Sequence, residues 1–275
     1  MSGGEHGWDS YPPDGVLASE KALFEVWDWL EKFRRDLVVV GGLAVHYHSR
    51  GSANSFYPAA PTLDVDFGIS LGTDAGIKGT VEFDLMQAGY RSVENRMVKK
   101  LDDGKNLYVD FLTEHPPRKT GSRNVSDIIA SICPGINRAL EEREYAEISG
   151  IDRFGDKQTY RVPICGIGPL LVLKLNAFAG RKHDKKAKDA YDILAVVSSY
   201  SGGATSAVAA FQREKEKENP AMARALETLA KDFRDNDSLA PGLAETFRFG
   251  SARRTESGLR LRNDLANIGQ ALLGE

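Results

Sequence analysis

Two aspartates, Asp64 and Asp66, stand two residues apart in the apolar run Leu63-Asp-Val-Asp-Phe67. On a strand, positions i and i+2 share a face, so both carboxylates converge on one site. Paired carboxylates suit hard divalent cations; Mg2+ takes few of them and completes its shell with water and substrate phosphates. Upstream, Val38-Val-Val40 runs into Gly41-Gly42 and then Leu43-Ala44. A strand that ends in two glycines opening a helix leaves backbone N–H groups uncovered, which suits a polyphosphate. A cation-holding strand with a phosphate turn is the equipment of nucleotidyl transfer. The plainer alternative has Asp64 and Asp66 capping turns or pairing with surface lysines.

At this point the residues resemble a known pattern. Gly41-Gly42 followed by Asp64-Val65-Asp66 resembles the signature of the DNA polymerase β-like nucleotidyltransferase superfamily. Lys174-Leu-Asn-Ala177-Phe-Ala-Gly-Arg181, continuing to Lys188-Asp189-Ala-Tyr-Asp192-Ile-Leu194, is similar to a stretch of its AbiEii-type branch. That branch contains nucleotidyltransferase toxins of toxin–antitoxin and phage-defence systems. The resemblance spans residues 36 to 197 and draws its specificity from the ordered combination of motifs.

The resemblance implies a small mixed-sheet nucleotidyltransferase core of α/β (α+β) class, flanked by helices and followed by a C-terminal helical region. It implies Mg2+ or Mn2+ as cofactor, an NTP as substrate, an RNA or tRNA 3′ end as acceptor, and a cognate antitoxin as protein partner. Asp64 and Asp66 are then metal ligands, and Asp110 in Tyr108-Val-Asp-Phe-Leu112 is the candidate third metal carboxylate and general base. Gly41, Gly42, Lys174 and Arg181 become the nucleotide-binding residues. Asp189 matches the branch's later acidic residue, orienting Lys174 or assisting the acceptor. The gap between Gly42 and Asp64 exceeds the family's usual spacing, and Ser49-Arg-Gly-Ser-Ala-Asn-Ser-Phe-Tyr-Pro58 reads as an inserted loop that covers the nucleotide site or extends a surface turn.

Each candidate has a structural counterpart. Lys174 lies in the apolar run Leu170 to Leu175, where a buried ammonium is costly unless an anion such as a triphosphate meets it; a snorkelling structural lysine is the alternative. Asp192 reads equally as a helix-surface carboxylate. Arg181 and the run Lys182 to Lys188 form either a solvated face or a phosphate-binding one. His46 and His48 lack a nearby third ligand and read as helix residues rather than a metal site. Arg248, Arg253, Arg254, Arg260 and Arg262 are interspersed with acids and read as solvated surface.

The positioning elements follow from periodicity. Residues 1 to 15 read as a loose leader, residues 16 to 130 as the core, 131 to 200 as the second part of the catalytic unit and 201 to 275 as the helical end. Leu23, Val26, Trp27 and Leu30 predict a helix over Ala18 to Arg35, followed by strand Leu37–Val40, helix Leu43–Ser49 and strand Leu63–Ile69. A helix from Gly76 to Ala88 precedes strands Ser92–Leu101 and Leu107–Leu112, joined at Asp102-Asp103-Gly104-Lys105, a hairpin signal. Residues 113 to 135 read as a connection, Ile136–Glu144 as a helix and Gln158–Val162 as a strand or hairpin. Pro169 opens the Lys174 helix, a second helix ends near Ser199, and Pro220, Pro241-Gly242 and Gly250 break the remainder.

Composition bounds these readings. A chain of 275 residues with 41% hydrophobic content can bury a full core, and a net charge of −3 carries no global nucleic-acid signature. Cys133 and Cys165 fit neither a metal spacing nor a disulfide framework, which makes a reducing cytoplasm the default and the thiols core residues. No apolar run reaches membrane-spanning length, and the polar start is unlike a signal peptide. Beside RNA, a small molecule or a protein side chain remains a possible acceptor, and a non-catalytic binding partner is the third reading. A retired site has little reason to keep mutually repelling carboxylates.

Overall fold

Leu37–Val40 forms strand β1 with all four side chains buried, and the chain turns at once into helix α2, Gly41–Ser49. The computed structural model describes residues 7–11, 14–50, 56–70, 80–101, 104–114, 120–125, 127–250 and 255–275. The chain is of mixed α/β class. It divides into two compact units, one of Pro13–Ala44 and Thr62–Gly166, the other of Met1–Pro12, Val45–Pro61 and Ile167–Glu275.

The first unit holds the sheet. Helix α1 (Gly15–Trp29) buries Leu23, Val26 and Trp27, as the helical spacing predicts. It stops short of the expected Arg35, and Glu31–Asp36 winds as a 3-10 turn. The tighter winding places Leu30 and Phe33, three apart, on one buried side. After β1 come β2 (Asp64–Ile69), helix α3 (Val81–Gln87), β3 (Arg91–Val93), β4 (Arg96–Lys100) and β5 (Asn106–Thr113). Then follow β6 (Ser122–Val125), β7 (Ile128–Ile132), α4 (Ile136–Glu141), β8 (Arg143–Ile151) and β9 (Lys157–Cys165). The sheet runs β3-β4-β5-β2-β1-β9-β8, with β7 paired to β5 and β6. β2 runs parallel to β5 and antiparallel to β1.

Alternation along β2 and β5 sorts their side chains. Val65, Phe67, Val109 and Phe111 are buried, with Phe67 stacked on Phe111 at 5.9 Å and on Trp27 at 6.5 Å. Asp64, Asp66 and Asp110 fall on the other face, all of them half-buried.

Several expectations for this unit are corrected. The supposed connection over 113 to 135 contains the β6-β7 hairpin, and β7 joins only Leu112 and Thr113 of β5. The helix expected to reach Glu144 ends at Glu141, and β8 begins at Arg143; β8 is a half-exposed edge strand and lacks the apolar alternation that announces a buried one. Pro116-Pro117, Asp102-Asp103 and the Gly76 start of α3 lie outside the described residues.

The second unit is helical: α5 (Ile167–Gly180), α6 (His183–Ser199), α7 (Ala204–Glu216), α8 (Met222–Asp232), α9 (Leu239–Phe249) and α10 (Glu256–Leu273). Helix α5 packs against α6, α7 and α8, and α6 packs against α9. Pro169 sits in the first turn of α5, as expected. Pro241 does not break α9 but occupies its third position, where a backbone N–H has no intrahelical partner to lose.

Two stretches are more ordered than their composition suggests. In the expected loose leader, Trp8 packs edge-on against Tyr191 and Phe247, with the Arg248 guanidinium 4.4 Å over its ring. At the end of the expected inserted loop, Tyr57 is buried and donates to Asp264 at 2.6 Å; residues 51–55 lie outside the described residues. Cys165 is buried but Cys133 only half-buried, so only one thiol belongs to the core. Among the described residues, no single helix is long and apolar enough to cross a membrane.

Candidate functional site

The Gly41-Gly42 turn and the aspartate strand are built against each other. Gly41 has φ +65°, a left-handed conformation that glycine adopts without strain. A β-carbon there would overlap the Asp66 carboxylate, and one at Gly42 would lie 2.7 Å from Thr62 Oγ1. The missing side chains therefore let the start of α2 close onto Thr62 and Asp66. Thr62 is buried, and its carbonyl accepts a 2.8 Å hydrogen bond from Ser19 of α1.

Strand register then lines up the acids. Asp66 lies opposite Asp110 in the parallel β2-β5 pair, and Asp110 lies opposite Arg96 in the antiparallel β4-β5 pair. Opposed residues share a face, so one row across three strands carries Arg96, Asp110 and Asp66, with Asp64 two residues away on the same face. Arg96 grips Asp110 with a two-pronged fork, Nε to Oδ1 and Nη2 to Oδ2, each at 2.6 Å. Its reach to Asp64 is looser, Nη2 to Oδ1 at 3.2 Å, and the guanidinium carbon lies 4.1 Å over the Tyr108 ring. Burial works against the Arg96 charge, but the hydrogen-bonded Asp110, followed by Asp64 and Asp66, outweighs it and raises the pKa above the ordinary arginine value.

The donor set fits a hard cation: carboxylate oxygens on a half-exposed face, without cysteine or histidine. Among the described residues, no group of three or more His, Cys, Asp or Glu side chains is arranged to hold a metal. Both Asp110 oxygens accept from Arg96. Sequence reading missed Arg96. The expected Asp-Gly hairpin signal held the clue, since the register Lys100↔Asn106 carried along the strands sets Arg96 opposite Asp110.

The Lys174 group lies wholly in the helical unit. Lys174 Nζ meets Asp192 Oδ2 at 2.6 Å and Asp189 Oδ1 at 3.4 Å. Arg181 Nη1 donates to both Asp189 oxygens, at 2.8 and 2.9 Å, and Lys188 Nζ reaches Asp192 at 3.0 Å. Burial disfavours the Lys174 ammonium, yet Asp192 and then Asp189 outweigh it and raise its pKa. Burial likewise works against the Asp192 carboxylate, and Lys174 and Lys188 prevail to hold it below the usual carboxylate value. Asp192 is thus no surface residue; it is fully buried. Asp189 bridges Lys174 and Arg181.

Other candidates are placed plainly. His48 is buried with its ring 5.6 Å from that of Tyr200, and His46 packs edge-on to Tyr47. Lys182 and Lys185 are exposed, and Lys186 lies 4.9 Å over the Phe178 ring. Arg260 stacks on Phe56 at 4.3 Å and Arg262 pairs with Glu245 at 2.5 Å, while Arg253 and Arg254 lie outside the described residues. No family model matches the chain, nor does a curated protein or a solved structure.

Proposed function

We propose that the protein is a divalent-cation-dependent nucleotidyltransferase that moves a nucleoside monophosphate from an NTP to the 3′ hydroxyl of an RNA, such as a tRNA end. The toxins of toxin–antitoxin and phage-defence systems, which its motifs resemble, are the model for this role, with an antitoxin as protein partner. The observation that carries the reading is the closure of the Gly41-Gly42 turn onto Asp66, which sets a helix start beside paired carboxylates. A Mg2+ or Mn2+ ion held by Asp64 and Asp66 would neutralise charge on the triphosphate during in-line displacement. The acceptor oxygen bonds to the α-phosphorus as the α–β bridge breaks, releasing pyrophosphate and the hydroxyl proton. The first turn of α2 offers N–H groups to phosphate oxygens. Arg181, half-exposed although bound to Asp189, and the exposed Lys182 and Lys185 offer charge to RNA. Pairing with Asp189 and Asp192 favours a structural lysine at Lys174 over a triphosphate contact.

Incubation with each labelled NTP, Mg2+ and total RNA tests this reading: label migrating with RNA is the expected result. Absence of label with every NTP, or undiminished labelling by Asp64→Asn protein, overturns it. Arg96 favours a second reading. Because its guanidinium offsets part of the carboxylate charge, the cluster can persist in a non-catalytic binding protein. In that case no NTP, with RNA, protein or small-molecule acceptor, yields a labelled product.

A further inference from the structure

We propose that Arg96 is a positioning residue that withdraws Asp110 from the cation-binding set, leaving Asp64 and Asp66 to take the divalent ion. The inference rests on the cation-site reading above. A planar guanidinium fork uses both oxygens of the carboxylate it binds, and such charge-assisted pairs are among the strongest hydrogen bonds in proteins. Both Asp110 oxygens are so engaged at 2.6 Å, whereas Asp64 gives Arg96 a single 3.2 Å contact and is the more exposed of the two acids, 44% against 24%. At Asp64 an arriving ion therefore displaces a looser Arg96 contact than it would at Asp110.

Arg96 is also fixed in place. Its backbone is registered opposite Asp110, and its guanidinium rests on Tyr108. It cannot turn fully to Asp64 without giving up Asp110. The pair Asp64 and Asp66 matches the preference of Mg2+ for few carboxylates. Asp110 then acts through Arg96: it anchors a cation that would otherwise swing onto the ligands and compete with the metal.

Mn2+ binding to the full chain, followed by the electron paramagnetic resonance of the free ion, separates this arrangement from a three-carboxylate site. Asp64→Asn should weaken binding at least about tenfold, the range seen when groups around a metal are removed. Asp110→Asn releases Arg96 onto Asp64 and Asp66 and should also weaken binding. Adding Arg96→Met to Asp110→Asn should return affinity to within about fivefold of wild type, because both ligands are then kept and the competing cation is gone. A double variant that stays weaker than that makes Asp110 a ligand and overturns the proposal. If the methionine variants melt early, Arg96→Gln with Asp110→Asn, which keeps polar side chains on the strands, repeats the comparison on the same criterion. Wild-type protein that binds no Mn2+, or binding that Asp64→Asn leaves unchanged, removes the cation site itself and overturns both readings. Asp64-dependent binding with no recovery in the double variant removes only the role of Arg96.

Discussion

The sheet unit and the helical unit each gather acids and bases, and they do so in opposite ways. On the sheet, three carboxylates face one guanidinium, and Asp64, Arg96 and Asp110 keep 44%, 31% and 24% of their side-chain surface in solvent. Between α5 and α6, two carboxylates face Lys174, Arg181 and Lys188, and Asp189 and Asp192 are wholly enclosed. The first cluster has negative charge in excess and keeps part of its surface in solvent. The second encloses its carboxylates and supplies them with its own cations. Burial, more than the presence of charged residues, separates the two clusters.

The largest expected effect falls on the sheet. Asp64→Asn or Asp66→Asn should lower nucleotidyl transfer on the order of a thousandfold, equivalent to about 4 kcal/mol of lost charge stabilisation, read as labelled RNA per minute. For Asp64→Asn, stability should change by less than about 1 kcal/mol, since the Asp64–Arg96 pair is partly exposed and loose. A large fall in melting temperature would place the sheet cluster with the structural one.

Lys174→Met is the converse. Removing the cation leaves Asp189 and Asp192 under-compensated in an apolar setting, which should cost about 3–5 kcal/mol in urea unfolding. A loss below about 1 kcal/mol, with NTP affinity down tenfold or more, would return Lys174 to the triphosphate.

Next comes a pH dependence confined to the helical cluster. The Asp192 pKa is depressed, so its contribution is fully present above its ordinary value of 3.8 and is lost as pH falls through the lower folded value. The Lys174 pKa is raised, so its contribution is fully present below 10.5 and is lost as pH rises through the higher folded value. The stability gap between wild type and Asp192→Asn should therefore stay flat across the neutral range and narrow only in strong acid or base. A gap that changes between pH 6 and pH 8, on the order of 1 kcal/mol or more, would show that other groups govern the cluster.

The smallest effect on the fold belongs to the lysines at the start of α6. Changing Lys182, Lys185 and Lys186 together to Ser should shift stability by only about 0.5 kcal/mol per site. RNA labelling should fall much more than NTP binding and lose part of its salt dependence, checked by labelling from low to physiological salt. Normal labelling by the triple variant would move the acceptor to a small molecule or a protein.

Local rules made much of this chain legible from its residues. The strand, glycine turn and helix at Leu37–Ser49 and the shared face of Asp64 and Asp66 follow from period-two alternation and from what a glycine permits, which depend only on neighbours in the chain. The Lys174 helix with Pro169 in its first turn is of the same kind. What the tertiary structure alone decided depends on partners distant in sequence. Ser122–Val125 and Ile128–Ile132 became a hairpin, and Arg143–Ile151 a strand, because sheet edges stood ready to pair with them, although their own patterns are weak. Asp192 carries no local mark of burial; it is enclosed because α5 lies alongside α6. Asp110 reads as one more strand carboxylate until register sets Arg96 opposite it, because strand pairing brings together residues that the chain itself keeps fourteen positions apart.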